Sequence, residues 1–166
     1  MNNYSSDLFD ELWLKYNRKI YFYFRHHFDE HTAEDLCQQT YLNAWSYISA
    51  YSGISIKQNK AWLFAVAKNV KNDYLRYIQL RSMNFRYENL YETDIAVENN
   101  IDESIAIHKA FYKLNEEERQ LLSMNVYLTS KEIGSVLGIS ASAVRNRIQK
   151  AKSHLKKILE ESEITI

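Results

Sequence analysis

The stretch that most constrains this chain is residues 129–157, TSKEIGSVLGISASAVRNRIQKAKSHLKK. Ile133, Val136 and Leu137 give a short helix one apolar face. Gly138 follows it, a residue free to take the left-handed conformation that ends a helix. Ser140 offers a hydroxyl to cap the next helix. In that second helix Val144, Ile148, Ala151 and Leu155 fall on one side at a 3.6-residue period, and Ser142, Arg145, Asn146 and Gln149 fall on the other. The pattern predicts a helix-turn-helix. A helix buried along one stripe and bearing Arg, Asn and Gln along the opposite one suits a DNA major groove, because Arg bonds guanine edges in pairs and Asn or Gln does the same for adenine. Lys150, Lys152, Lys156 and Lys157 add charge toward phosphates. The candidate DNA contacts here are Ser142, Arg145, Asn146, Arg147, Gln149 and Lys150. The competing account is an amphipathic surface helix with solvated lysines.

A formal net charge of zero over 166 residues argues against a polyanion partner, but the distribution reverses that. Residues 130–159 hold seven Lys or Arg against one acid, and residues 68–86 hold five against one. Residues 88–118 hold nine acids against two lysines. Two basic blocks flank an acidic middle, and local fields rather than the net value decide where nucleic acid binds. The single cysteine, Cys37, excludes an intramolecular disulfide and reads as a small buried apolar group. Residues 1–7 are polar and acidic, unlike a secretory signal, and no apolar run reaches the roughly 20 residues that span a bilayer. The expectation is a cytoplasmic protein without membrane insertion. Proline is absent and only three glycines occur, which favours an all-α fold.

Apolar spacing then gives the outline. Leu8, Leu12 and Tyr16 predict one or two helices from residue 7 to about 28. A break at His31–Thr32 is followed by a helix to about Ala50, with Thr32 and Asp35 in the spacing of a capping box. Residues 51–59 read as a loop. Asn59 caps a helix to about Arg81, with Leu63, Val66, Ala67, Val70, Tyr74, Tyr77 and Ile78 as its buried stripe and Lys68, Asn69, Asn72, Arg76 and Gln79 opposite. Further helices are expected from Ile105 and from Glu116. The predicted organisation is two small helical domains, residues 1–82 and 105–160, joined by an acidic linker, 83–104, with room for some helix, and a frayed tail at 161–166. No further domain is expected beyond Ile166.

Three segments in this order resemble a known family. Residues 33–45, AEDLCQQTYLNAW, resemble the polymerase-binding helix of extracytoplasmic-function sigma factors of the sigma-70 family. Residues 61–76, AWLFAVAKNVKNDYLR, resemble their promoter-opening helix, and residues 114–155 their carboxy-terminal helix-turn-helix domain. One helix-turn-helix is weakly specific; three segments in order, over about residues 8–158, are strongly so. The resemblance implies a promoter-specificity subunit of bacterial RNA polymerase. Its first domain docks on the clamp helices of the largest core subunit, opens the minus-ten element and captures a flipped base. Its second domain reads the minus-thirty-five element, and the linker runs near the active centre and RNA exit path.

By that resemblance Asp35, Gln38, Gln39 and Leu42 contact core polymerase, whereas Leu36, Tyr41 and Trp45 serve the interior. Asp35 as a simple helix-end acid is the alternative. Asn69, Asp73 and Arg76 match the family's N…D..R spacing, and Lys68, Asn69, Asn72 and Arg76 are the implied minus-ten contacts. A separated strand needs a basic groove and a pocket for extruded bases. The resemblance puts that pocket at residues 51–58, with Tyr51, Ser52 and Lys57 as lining residues. Trp62 and Phe64 are wedges or core, with core favoured for Trp62. Asp73 alternatively orients Arg76. The chain departs from the family at Asn115, where proline is frequent, at Tyr127, where glycine is common, at Ser142-Ala143-Val144 in place of Gly-Thr-Val, and at Lys150 in place of arginine, which removes a forked contact. The expected partners are core polymerase, promoter DNA and an anti-sigma factor.

A stand-alone helix-turn-helix regulator is the second reading; it requires a dimer seam and leaves residues 33–45 and 61–76 unexplained. Enzymatic readings fail on chemistry. His26, His27 and His31 with Asp29 and Glu30 lack the HExxH order, and no second Cys or His cluster completes a metal site. Gly53, Gly134 and Gly138 are isolated and form no phosphate loop. No catalytic residue, metal or cofactor is expected.

Overall fold

The computed structural model describes residues 3–50, 59–81 and 101–163, and within them the regular elements are seven helices. They are α1 Asn3–Arg25, α2 Glu30–Ala50, α3 Asn59–Arg81, α4 Ile101–Lys113, α5 Glu116–Asn125, α6 Ser130–Leu137 and α7 Ala141–Glu163. The chain divides into two compact units, Met1–Thr93 and Asp94–Ile166.

In the first unit α1, α2 and α3 pack against one another. Leu12, Ile20, Tyr23 and Phe24 of α1 meet Leu36, Tyr41, Ala44 and Ile48 of α2 and Leu63, Phe64, Ala67 and Val70 of α3 in the core. Aromatic edges lock the layers together. The ring of Phe9 stands edge-on to Tyr41 at 6.0 Å and to Trp45 at 5.1 Å, and Tyr23 does the same to Phe64 at 5.6 Å. Phe64 is thus a core residue and no wedge. Trp62 is half-buried, its ring 5.5 Å from Tyr47. Cys37 is buried, with Sγ 3.8 Å from the Asn17 carbonyl, and burial pushes its thiol up to about 11.

Several boundaries differ from the sequence reading. A single α1 ends at Arg25, and α2 begins at Glu30, two residues before the expected Thr32 cap. The capping group is Asp29: its carboxylate accepts from the Thr32 amide at 3.0 Å and from the Thr32 hydroxyl at 2.7 Å. Burial pushes the Asp29 carboxyl upward, but those bonds and the nearby Arg25 outweigh it and hold the group below its ordinary value. Tyr77, assigned to the buried stripe of α3, is 51% exposed, because a 23-residue helix outruns the partners that cover its first four turns. Helix α4 starts at Ile101, within the stretch read as linker, and α7 runs to Glu163, into the expected tail at 161–166. Its last turns are held by a Ser162 hydroxyl donating to the Ile158 carbonyl at 2.7 Å. Lys156–Glu160 and Lys157–Glu161 add ion pairs along the same turns.

In the second unit α7 packs against α4, α5 and α6. Val144, Ile148, Ala151 and Ile158 of α7 are buried, together with Leu121 and Met124 of α5, Leu128, and Ile133 and Val136 of α6. Ala110 of α4 and Leu114 just after it join Ile158 in a cluster flanked by Phe111, Leu155 and Leu159. The turn of the helix-turn-helix is tight. Gly138 adopts φ 71° and its amide donates to the Gly134 carbonyl, which also accepts from the Ile139 amide at 3.0 Å. A Cβ on Gly134 would lie 2.6 Å from the Ile139 carbonyl oxygen, a backbone atom that cannot swing aside. Gly134→Ala is therefore expected to destabilise the second unit by about 1–3 kcal/mol, measured as a lower urea midpoint; an unchanged midpoint would show that the turn relaxes freely.

Candidate nucleic-acid interface

The candidate face on α7 is set by what holds that helix in place. Ser140 caps α7, its hydroxyl accepting from the Ala143 amide at 3.2 Å and lying 3.0 Å from the Ser142 hydroxyl. Thr129 caps α6 reciprocally with Glu132, an arrangement the sequence reading overlooked although Thr-x-x-Glu is its signature. With Val144, Ile148 and Ala151 buried, Ser142, Arg145, Asn146, Gln149 and Lys150 are all exposed on the outer side of α7. Five of the six residues singled out on this helix thus share one solvent face.

Arg147 is different. It is exposed, yet its guanidinium pairs with Glu117 of α5. The first turn of α5 is the triplet Glu116-Glu117-Glu118, and each acid takes its own basic partner. Glu116 meets Arg119 at 3.1 Å, Glu117 meets Arg147, and Glu118 meets His154 Nδ1 at 2.9 Å. Glu118 also closes a capping box, accepting from the Asn115 amide at 3.1 Å while its own amide donates to the Asn115 side chain at 2.9 Å. Asn115, where proline is frequent by the resemblance, is thus the N-cap of α5. Arg119 donates to the carbonyls of Tyr112 and Leu114, both at 2.9 Å, and so satisfies the end of α4. At the Tyr127 departure the chain turns through amides of Tyr127 and Leu128 that both donate to the Met124 carbonyl, at 3.0 and 2.9 Å.

In the first unit, Asn69, Asn72 and Arg76 are exposed along one side of α3, and Lys68 is half-buried beside them. Asp73 lies 3.3 Å from Arg76, in keeping with an orienting role. Lys71, counted with the basic block, is fully buried and engaged within the fold, so its charge does not face solvent. Tyr51, Ser52 and Lys57 lie outside the described residues. On α2, Asp35, Gln38, Gln39 and Leu42 are exposed, Leu42 to 60%, and Leu36 and Tyr41 are buried, while Trp45, expected in the interior, is only half-buried because it lies at the edge of the core against Phe9. Gln39 donates to Asn43 at 2.8 Å. A groove of about 470 Å³ separates α2 from α3, with Leu36 and Val70 among its walls and Asp35 and Asp73 both lining it. His27 is buried against Tyr23 whereas His31 is exposed, so the two do not converge as ligands. Among the described residues no group of three His, Cys, Asp or Glu could hold a metal, and no helix is long and apolar enough to cross a membrane.

A helix-turn-helix with an open polar face on α7, in one chain with a three-helix unit, is the organisation of a DNA-binding transcription protein. Family models for sigma-70 region 2 and sigma-70 region 4 match residues 7–81 and 104–155. The chain belongs to the sigma-70 family. The RNA polymerase sigma factor SigZ of Bacillus subtilis is 24% identical over 156 residues, spanning 91% of this chain and 86% of its own. The ECF RNA polymerase sigma factor SigL of Mycobacterium tuberculosis is 26% identical over 142 residues, 82% of this chain and 80% of its own. In fold the chain is similar to RpoE of Bartonella quintana, solved with the anti-sigma factor NepR, at a TM-score of 0.71 and 20% identity over 93% of this chain and 97% of that one. It is also similar to CnrH, solved with the cytosolic domain of CnrY, at a TM-score of 0.68 and 20% identity over 92% and 88%. It is an RNA polymerase sigma factor, an initiation factor and not an enzyme.

Because Asn115 and Glu118 form the cap that starts α5, Asn115→Ala is expected to lower the stability of the second unit by about 1 kcal/mol. Thermal unfolding of the purified variant measures this. A midpoint equal to the parent chain would mean that solvent satisfies the same amides equally well.

Proposed function

We propose that this sigma factor directs promoter-specific initiation in the cytoplasm by using three separate surfaces. The observation that carries the reading is the face of α7, where Arg145, Asn146 and Gln149 stand exposed directly opposite a buried apolar stripe. With its inner side committed to the core, α7 enters the major groove of the minus-thirty-five element with Ser142, Arg145, Asn146 and Gln149 toward base edges and Lys150 toward phosphate. Arg145 is the strongest candidate for a paired guanine contact. Asn69, Asn72 and Arg76 of α3, with Lys68 at their edge, hold the separated minus-ten strand, and Tyr51, Ser52 and Lys57 form its base pocket. Asp35, Gln38, Gln39 and Leu42 meet the clamp helices of the largest core subunit, with Leu42 as the apolar centre of that patch. The domains assigned to these tasks are residues 1–82 and 105–160. A separate anti-sigma factor controls access to core, a reading supported by the complexes in which the structurally similar RpoE and CnrH were solved.

Reconstitution with bacterial core RNA polymerase, followed by run-off transcription on fragmented DNA of the source genome, tests the whole reading. Discrete new start sites are expected. Absence of core binding, with specific duplex retention by the chain alone, would point instead to a stand-alone regulator. Within the reconstituted enzyme, Arg145→Ala is expected to cost about 1–3 kcal/mol at one base pair of the minus-thirty-five element and to relax discrimination there. Equal loss on every sequence would make Arg145 a phosphate contact. Asp35→Ala is expected to fold normally and to weaken core binding by about 1 kcal/mol, roughly fivefold in Kd; unchanged affinity would remove Asp35 from that interface.

A further inference from the structure

We infer that Glu117 is a specificity-determining residue of the DNA-reading unit, acting as an internal stand-in for phosphate that withholds Arg147 from nonspecific DNA. The inference rests on the reading that the exposed face of α7 meets DNA. Arg147 lies in the same run of α7 as the base-reading candidates, one turn from Lys150, and so flanks the face they share. Unlike Arg145, it is engaged by an acid 30 positions away in sequence, on α5. The two side chains are about half exposed, 49% for Arg147 and 60% for Glu117, so the pair is open to exchange with an external anion.

The chemistry favours competition. A carboxylate and a DNA phosphate present the same paired oxygen acceptors to a guanidinium, so Arg147 bonds one or the other with its fork. An exposed pair of this kind is weak, and a phosphate held nearby by other contacts displaces it. Glu117 itself is fixed to a capped helix, because the neighbouring Glu118 is bound both to the Asn115 amide and to His154 of α7. The result is a graded lock. On random duplex, where only phosphate attraction operates, Glu117 keeps Arg147 occupied and subtracts about one phosphate contact from the helix. On a cognate site, base contacts by the neighbouring residues hold α7 against the backbone long enough for exchange. Nonspecific affinity falls more than specific affinity, and discrimination rises.

The test is the full-length chain titrated by fluorescence anisotropy with a random-sequence duplex over a series of salt concentrations. Glu117→Gln keeps the shape and removes the charge. It is expected to tighten nonspecific binding about two- to fivefold, the scale of an exposed ion pair, and to steepen the logarithmic salt slope by about one contact. Loss of plain charge repulsion would also tighten binding, so Arg147→Ala is combined with Glu117→Gln. The gain from Glu117→Gln is expected to vanish when the substitution is made in the Arg147→Ala background. Equal affinity of the parent chain and Glu117→Gln, an absence of binding by both, or a gain that survives Arg147→Ala overturns the inference. The underlying reading is separated by Arg145→Ala in the reconstituted polymerase. If that variant leaves minus-thirty-five discrimination intact, the placement of DNA on α7 fails; if it relaxes discrimination while Glu117→Gln leaves the salt slope alone, only the role of Glu117 fails.

Discussion

Burial of one stripe of α7 is the constraint on which the rest of the second unit depends. Val144, Ile148 and Ile158 lose nearly all contact with water, and each is worth roughly 1.5–3 kcal/mol against an exposed state. That burial fixes the rotation of the helix about its own axis. Once the rotation is fixed, Arg145, Asn146 and Gln149 have nowhere to point except outward. The short helices α4, α5 and α6 exist mainly to cover this stripe. None of them is long enough to be stable in isolation, since the 10 residues of α5 and the 8 of α6 lie below the length at which free helices persist. Their caps matter accordingly, with Asn115 and Thr129 each closing a reciprocal box.

The first unit solves a different problem with the same physics. It is cemented by aromatic edges, and its helices must each serve the interior and an outer surface. On α2 the division is clear except at Trp45, which is half-buried. Leu36, Tyr41 and Ala44 face inward, and Asp35, Gln38, Gln39 and Leu42 face outward. An exposed leucine within a polar patch is the usual composition of a docking surface, where a small apolar centre supplies energy and polar neighbours supply registry. The groove between α2 and α3 joins this patch to the side of α3 that bears Asp73 and Arg76, so contacts made on one helix are mechanically close to those made on the other.

Much of this was legible in the sequence because it depends on periodicity and on turn chemistry. The opposed faces of α7, the left-handed Gly138 and the Ser140 cap were all visible as patterns. What escaped the sequence depended on contacts between distant residues or on the finite length of a helix. Arg147 looked equivalent to Arg145, since nothing in local spacing reveals a partner at Glu117. Lys71 counted as surface charge, because a sum over residues cannot tell a buried lysine from an exposed one. Tyr77 fitted the stripe of α3, but periodicity does not say where covering partners stop. Thr32 and Asp35 matched a cap by spacing, and only the structure shows that Asp29 holds that role. Gly134 did leave a trace. A glycine within an eight-residue helix costs about 1 kcal/mol in propensity, which by itself signals a close backbone approach.

Cys37 has a consequence of another kind. It is the single cysteine of the chain, 8% exposed, with its proton held well beyond neutral pH by burial. Thiol oxidation and alkylation proceed through the thiolate and require access to it. This sulfur offers neither, and its position between α1 and α2 ties any exposure of it to opening of the core. In redox terms the folded chain is deaf at cysteine. An oxidising signal that altered promoter choice through this protein by thiol chemistry would have to be sensed elsewhere and delivered as a binding event.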